Sequence, residues 1–251
     1  MQIDEALLAR IAASRTLAVF TGAGISAESG LGTFRGSGGL WETVRVEDYA
    51  TPGAFARRPA VVWNWYADRW RAMRAAEPNA GHRAIVRLQE LFPSCLVMTQ
   101  NIDGLHQKAG SKDVLELHGG LRWARCTGCG ERIEMDDAIA MVASPPQCDC
   151  GGAFRPDVVW FGELLPEGAL ERAVAAAEAC GVFLTVGTSG TVMPAASLIA
   201  MARDAGAVVV EVNPERSAMS GFAHVNLDEK AGIALPWLVE KLEAWQKRSQ
   251  D

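Results

Sequence analysis

The sequence predicts an α/β fold: a Rossmann-like parallel-sheet domain carrying a smaller inserted unit of helices and a cysteine-bearing ribbon. Three observations predict it. Short apolar strands alternate with amphipathic helices along most of the 251 residues, the rhythm of a parallel sheet covered on both faces. The first of these strands runs directly into Gly22-Ala-Gly-Ile-Ser, the entry of a nucleotide-binding βα unit. Between Leu121 and Phe154 the rhythm stops, and two close pairs of cysteines appear instead.

The elements follow in order. Ile3, Leu7, Leu8 and Ile11 recur at helical spacing, so Ile3 to Ser14 reads as a helix, and Thr16 to Thr21 as a buried strand. Gly30 to Trp41 holds five glycines and cannot continue a helix. Prolines near the start of Pro52 to Arg57 and of Pro59 to about Ala75 suit two helices. Ala80 to Leu91 is a further amphipathic helix that feeds a strand at Cys95 to Met98. Strands are expected at Val114 to Leu117, Val158 to Trp160, Val182 to Val186 and Ala207 to Val212. Helices are expected at Pro166 to Ala179, Pro194 to Asp204 and Leu235 to Arg248.

Composition narrows the class. Hydrophobic residues make up 49% and charged residues 22%, an ordinary globular balance. A net charge of −6 with no basic run argues against a general nucleic-acid binder. No apolar run is long enough to span a membrane. The acidic N-terminus lacks the basic and apolar regions of a secretion signal, so a cytoplasmic location is expected. Six cysteines in such a chain are then not a disulfide framework.

Cys126-x-x-Cys129, eighteen intervening residues, and Cys148-x-Cys150 have the span of a zinc ribbon. Four thiolates close the coordination sphere of one Zn²⁺, which makes the metal structural. A redox dithiol is the weaker reading, because Cys126-x-x-Cys129 does not open a helix after a strand. Cys95 and Cys180 read as small buried hydrophobes.

Polar segments fall just after expected strands: Gly22 to Ser26, Gln100 to Asp103, His118, Gly187 to Ser189, and Asn213. In an open α/β sheet the ligand crevice lies at those strand ends, so five segments converge on one site. Gly22-x-Gly24-x-x-Ala27 fits the dinucleotide fingerprint, whose amides approach a pyrophosphate. A standard dehydrogenase would next show a full helix and a second strand ending in an acid. The glycine-rich loop with Thr33-Phe34-Arg35 stands there instead.

These segments together resemble the sirtuins. The matches are Gly22 to Gly30, Thr33 to Gly36, Thr99-Gln-Asn-Ile-Asp-Gly104, Leu117-His-Gly119, the four cysteines, Phe161-Gly-Glu163, Gly187-Thr-Ser189 and Asn213. Leu31-Gly32 departs from the Ile-Pro of many members. The resemblance implies an NAD-dependent protein-lysine deacylase: the acyl group passes to ADP-ribose, nicotinamide leaves, and acyl-lysine proteins or peptides are the partners. It implies that His118 is the general base, and that Asn101 and Asp103 line the nicotinamide and ribose pocket. It places Gly22, Ala23, Gly24, Ser26, Thr33, Phe34, Arg35, Trp41, Gln100 and Ile102 around NAD. Gly187, Thr188, Ser189, Asn213, Pro214, Glu215 and Ala231 would hold its adenosine half. Val158, Phe161, Gly162, Glu163 and Val192 match the edges between which a substrate peptide adds as a strand.

Tyr66 and Arg69 are three apart on one helix and share a face. With small Ala50 upstream they resemble the carboxylate clamp of desuccinylating sirtuins, which take malonyl or succinyl tails. The expected domains are 1–30, 80–119 and 156–251 for the NAD-binding sheet, with 31–79 and 120–155 as the helical and zinc-binding inserts. Two rival functions remain at this point, an NAD-dependent ADP-ribosyltransferase and an idle NAD- or zinc-binding adaptor. The oligomeric state is open.

Overall fold

The computed structural model describes residues 1–33, 39 and 44–248. Its main sheet has six strands: β1 (Thr16–Thr21), β2 (Ser94–Thr99), β3 (Val114–Glu116), β7 (Val182–Val186), β8 (Val208–Val212) and β9 (Val225–Leu227). They run in the order β3-β2-β1-β7-β8-β9, every neighbouring pair parallel. The chain therefore builds outward from β1 in one direction and from β7 in the other. The direction reverses between β1 and β7, where Thr21 lies opposite Val186. That reversal is where an open α/β sheet makes its crevice.

Burial on both faces explains the unbroken apolar runs. In β1, Leu17 and Val19 face a core with Leu8, Ile11, Ile85, Leu88, Leu235 and Leu238. Ala18 and Phe20 face the opposite core, with Ala173, Ala177, Leu198 and Ile199. Alternate residues thus point to opposite helical layers, as the two-residue period of a strand requires. Helix boundaries follow local chemistry. The Asp4 carboxylate caps Glu5–Ala13 by accepting from the amides of Ala6 and Leu7. Pro59 opens Pro59–Ala75, and Asn79 caps Ala80–Leu91.

A second sheet of three antiparallel strands, β5 (Arg132–Glu134), β4 (Gly119–Cys126) and β6 (Phe154–Val158), sits beside the first. Its Leu121, Phe154 and Val158 share a core with Phe55, Trp63, Tyr66 and Trp70 of the helices at Pro52–Arg57 and Pro59–Ala75. The strand expected at Val158 to Trp160 is thus displaced to Phe154–Val158, and it belongs to this second sheet. Apolar pattern alone does not say which sheet a strand joins. The last helix begins at Ala231, four residues before the expected Leu235, and keeps Pro236 inside. Its early start has a distant cause: the Glu28 carboxylate accepts from the Gly232 amide at 2.7 Å. The short helices Val46–Tyr49, Leu105–Ala109 and Asp137–Met141, and the strand β9, were not anticipated. Among the described residues, no helix is long and apolar enough to cross a membrane.

Two imidazoles are buried where the helix Ala80–Leu91 meets Leu105–Ala109. His82 and His106 lie edge to face, 5.0 Å apart, and His106 bonds Thr21 Oγ1 at 2.9 Å. Burial, then the neighbouring Arg83 charge, pushes His82 down to about 4. Burial, then His82, pushes His106 down to about 3. The unfolded chain takes up these protons near the ordinary value of about 6.5, before the folded chain does. Stability contributed by the neutral imidazoles is therefore full above that value and lost as pH falls toward 4 and 3. Denaturation between pH 7 and 4.5 is expected to show a loss of roughly 1 kcal/mol per pH unit for each imidazole. His106→Gln should remove its own share, about 1 kcal/mol per pH unit; an unchanged slope would assign the acid sensitivity elsewhere.

Candidate active site

A cavity of about 680 Å³ opens at the carboxyl ends of the strands, between the main sheet and the second sheet. Among the described residues, every sequence-expected cofactor or substrate residue lines it except Ser26, Asp103 and Arg69. Phe34, Arg35 and Trp41 lie outside the described residues. Lining residues that the sequence reading missed include Glu28, Trp160, Met193, Arg216 and Lys230. Glu28 lies inside the Gly22 to Gly30 match without being singled out there, and Arg216 and Lys230 stand in none of the motifs.

The glycine loop forms one wall. A Cβ on Gly22 would lie 2.8 Å from the Gly187 carbonyl oxygen, and one on Gly24 only 2.6 Å from Gly187 Cα. The amides of Gly22 and Gly24 donate to the carbonyls of Val186 and Gly187, at 3.0 and 2.8 Å. These two glycines thus seat the loop after β1 against the loop after β7, and their amides are engaged there. The same seam positions Thr188, whose hydroxyl accepts from Gln100 Nε2 at 2.9 Å and whose carbonyl accepts from Asn213 Nδ2 at 3.0 Å.

Behind that wall a polar chain runs inward. Asp103 accepts from the Ser26 hydroxyl at 2.7 Å and from the Leu105 amide at 2.9 Å. Burial raises its carboxyl above the ordinary range, against the lowering effect of these bonds. Asn101 donates from Nδ2 to the Gly22 carbonyl at 3.1 Å and to Ser26 Oγ at 3.3 Å. The donor end of the Asn101 amide is therefore held by protein. Its carbonyl oxygen is the end left to meet a ligand.

His118 follows β3 and lines the cavity. Its Nδ1 lies 3.1 Å from the Gln100 carbonyl. A carbonyl only accepts, so Nδ1 carries the proton and Nε2 keeps its lone pair. Burial pulls the imidazole below its ordinary value, with the Gln100 contact opposing. Both facts leave a neutral ring with one basic nitrogen. The adjacent Gly119, at φ 75°, packs so closely that a Cβ would lie 2.3 Å from the Asp157 carbonyl oxygen, so the residue after the histidine must be glycine.

The opposite wall is the segment after β6. Phe161 donates its amide to the Ala50 carbonyl at 3.0 Å. Glu163, expected at the substrate edge, lines the cavity but turns its carboxylate to Arg155 and to the Trp160 amide. Tyr66 lines the cavity and accepts from the Trp160 indole at 2.9 Å. Arg69 is half-buried with its guanidinium 4.7 Å above the Trp65 ring, and burial lowers it from its ordinary value.

The four cysteines meet at one point away from this cavity. Their sulfurs all lie within 4.8 Å of one another, with Cys126 to Cys150 at 3.4 Å and Cys129 to Cys148 at 3.6 Å. Tetrahedral Zn–S bonds of about 2.3 Å separate sulfurs by about 3.8 Å, so the set fits one zinc ion. The amides of Gly128 and Gly152 donate to Cys126 and Cys150 sulfurs, as thiolates require. A Cβ on Gly152 would lie 2.6 Å from the Cys126 sulfur, which is why glycine closes the cluster.

Comparison with known proteins agrees with this geometry. The model of the Sir2 family matches residues 22–194. The NAD-dependent protein deacylase 2 of Pyrobaculum aerophilum is 52% identical over 234 residues, covering 93% of each chain. The NAD-dependent protein deacylase of Aquifex aeolicus is 48% identical over 221 residues, 87% of this chain and 92% of that one. A Sir2 homologue solved as its NAD complex superimposes with a TM-score of 0.90 at 43% identity, covering 97% of this chain and 95% of that one. With the strand-end site, the thiolate cluster and this degree of likeness, the chain belongs to the Sir2 family, the sirtuins.

Proposed function

We propose that this chain is an NAD-dependent protein-lysine deacylase, passing the acyl group of an acyl-lysine to ADP-ribose with release of nicotinamide. The observation that carries the reading is His118, a neutral imidazole with a basic Nε2 that lines the same cavity as Asn101 and Gly187. When bound, NAD supplies the ribose that accepts the acyl group. The chain's own residues orient and exclude. His118 takes a proton from a ribose hydroxyl, Asn101 presents its carbonyl oxygen to the nicotinamide amide, and Asp103 fixes Ser26, and through it Asn101, from behind. Gly187 to Ser189 and Asn213 to Glu215 hold the adenosine half. Val158 to Glu163 and Val192 flank the acyl-lysine strand. The four cysteines hold a structural zinc. The test is mass spectrometry of acetyl- and succinyl-lysine peptides incubated with and without NAD. Acyl loss should require NAD and match nicotinamide release. ADP-ribose appearing on protein without acyl loss would favour the transferase instead.

The division into a sheet domain (1–30, 80–119 and 156–251) and a small domain (31–79 and 120–155) accompanies this reading. The shared core of the helical and zinc-binding inserts supports it. A cytoplasmic location is part of the same proposal.

The acyl specificity proposed is for carboxylate-ended groups, held by Tyr66 and Arg69. Support comes from Tyr66 in the cavity wall beside small Ala50, with Arg69 one turn further along the helix. A charge-assisted hydrogen bond contributes about 1.5–3 kcal/mol, so Arg69→Met should lower the succinyl-to-acetyl ratio of kcat/KM about 10- to 100-fold. Tyr66→Phe should lower it less, because it removes one hydroxyl and keeps the ring. Equal losses on both peptides would mean that this helix face only holds the pocket together.

A further inference from the structure

We propose that the buried indole of Trp160 is a specificity-determining positioning residue, whose N–H makes the Tyr66 hydroxyl a committed hydrogen-bond donor toward an acidic acyl terminus. The inference rests on the acid-clamp reading above and adds what aims the phenol.

An indole N–H donates and cannot accept. Trp160 Nε1 lies 2.9 Å from the Tyr66 oxygen, and both residues are buried. The phenol oxygen is therefore the acceptor in this contact, and its own proton is left for a partner other than the indole. Burial also holds that proton on, raising the phenol well above its ordinary value. Tyr66 is thus a neutral donor whose direction is set by its neighbour rather than by solvent.

The indole in turn is fixed on every side. The Arg155 guanidinium lies 3.4 Å from the centre of the Trp160 ring. Arg155 is itself held by both oxygens of Glu163 and by the Val158 carbonyl at 2.8 Å. Glu163 closes the loop by accepting from the Trp160 amide at 2.8 Å. Phe55 packs on the ring at 5.4 Å. Two partners separated by 94 residues are thereby held to one geometry. A phenol aimed this way offers its proton to a carboxylate, a charge-assisted bond, and offers nothing to the methyl group of an acetyl. An acyl end presenting only N–H groups would face a second donor.

The experiment uses the full-length protein and measures kcat/KM for succinyl- and acetyl-lysine peptides. Trp160→Phe is compared with an analogue placed at position 160 by amber suppression, in which sulfur replaces the indole N–H and the shape is kept. Each is made with Tyr66 present and with Tyr66→Phe, and melting temperature and zinc content check the fold. The expected result is a fall of roughly 3- to 30-fold in the succinyl-to-acetyl ratio for both substitutions, the range for weakening one bond to a charged group. In the Tyr66→Phe background neither should lower the ratio further. A sulfur analogue with the wild-type ratio would overturn the proposal, since the ring's volume alone would then explain Trp160. Falls that add fully to that of Tyr66→Phe would overturn it too. If Tyr66→Phe and Arg69→Met leave the ratio unmoved, the acid-clamp reading fails and takes the proposal with it. If they lower it while the sulfur analogue does not, the proposal fails alone.

Discussion

Replacing His118 by alanine is expected to lower kcat/KM for an acyl-lysine peptide by roughly 10²- to 10⁴-fold, the usual contribution of a general base. The geometry says why no neighbour should substitute. Asp103 is turned to Ser26 and Leu105, and the donor end of Asn101 is held by Gly22 and Ser26. His118 alone among these brings a basic nitrogen to the cavity, because the Gln100 carbonyl takes the other ring position. The pH profile should agree. Burial keeps the imidazole below its ordinary value, so the proposed base is in its free form throughout the neutral range. Activity should therefore fall only on the acid side, as pH drops below about 6.5, and this limb should vanish in the variant. Residual turnover above a few per cent, with an unchanged acid limb, would assign the base to another group.

The second large effect concerns the metal. One zinc per chain is expected, and its loss should unfold the ribbon around β4 to β6 and abolish activity, although no thiolate lines the cavity. Binding a structural zinc is worth about 10–16 kcal/mol in small zinc modules, and that binding energy is folding energy. The coupling to the site runs through packing. Cys126 and Cys148 are buried in the same core as Trp63, Tyr66, Phe154 and Trp160, so loosening the ribbon loosens the Tyr66 and Trp160 wall of the cavity. Elemental analysis and hydrogen exchange on the native protein and on Cys148→Ser would measure this. Exchange should rise across 120–158 while the main sheet stays protected. Native protein without zinc, or a metal-free protein with full activity, would sink the idea.

What was legible in the sequence was whatever a short segment carries by itself. The α/β rhythm, the zinc spacing and the polar turns after strands are local patterns, and each was found near its observed place. The helices Pro52–Arg57, Pro59–Ala75 and Ala80–Leu91 were read with their observed bounds because proline or an amphipathic face marks them locally. The resemblance added roles to His118, Asn101 and Asp103 that spacing alone would not. What was not legible depends on contacts between distant segments. The partnership of Trp160 with Tyr66, and of Glu28 with Gly232, spans 94 and 204 residues. No local pattern predicts which tryptophan of several meets the tyrosine.

The glycines show the same division. By itself, the sequence determined that Gly22 and Gly24 follow a buried strand, and so that a tight turn begins there. Only the tertiary structure decided what the missing side chains are for, since the Gly187 backbone closes on both positions. Likewise the sequence determined that an apolar strand stands near Val158. The structure decided that it joins β4 in the second sheet. Hydrophobic period reports which faces of an element are buried, and capping residues report where it stops. Neither reports the partner, because the partner is chosen by long-range packing, which a single stretch of chain does not encode.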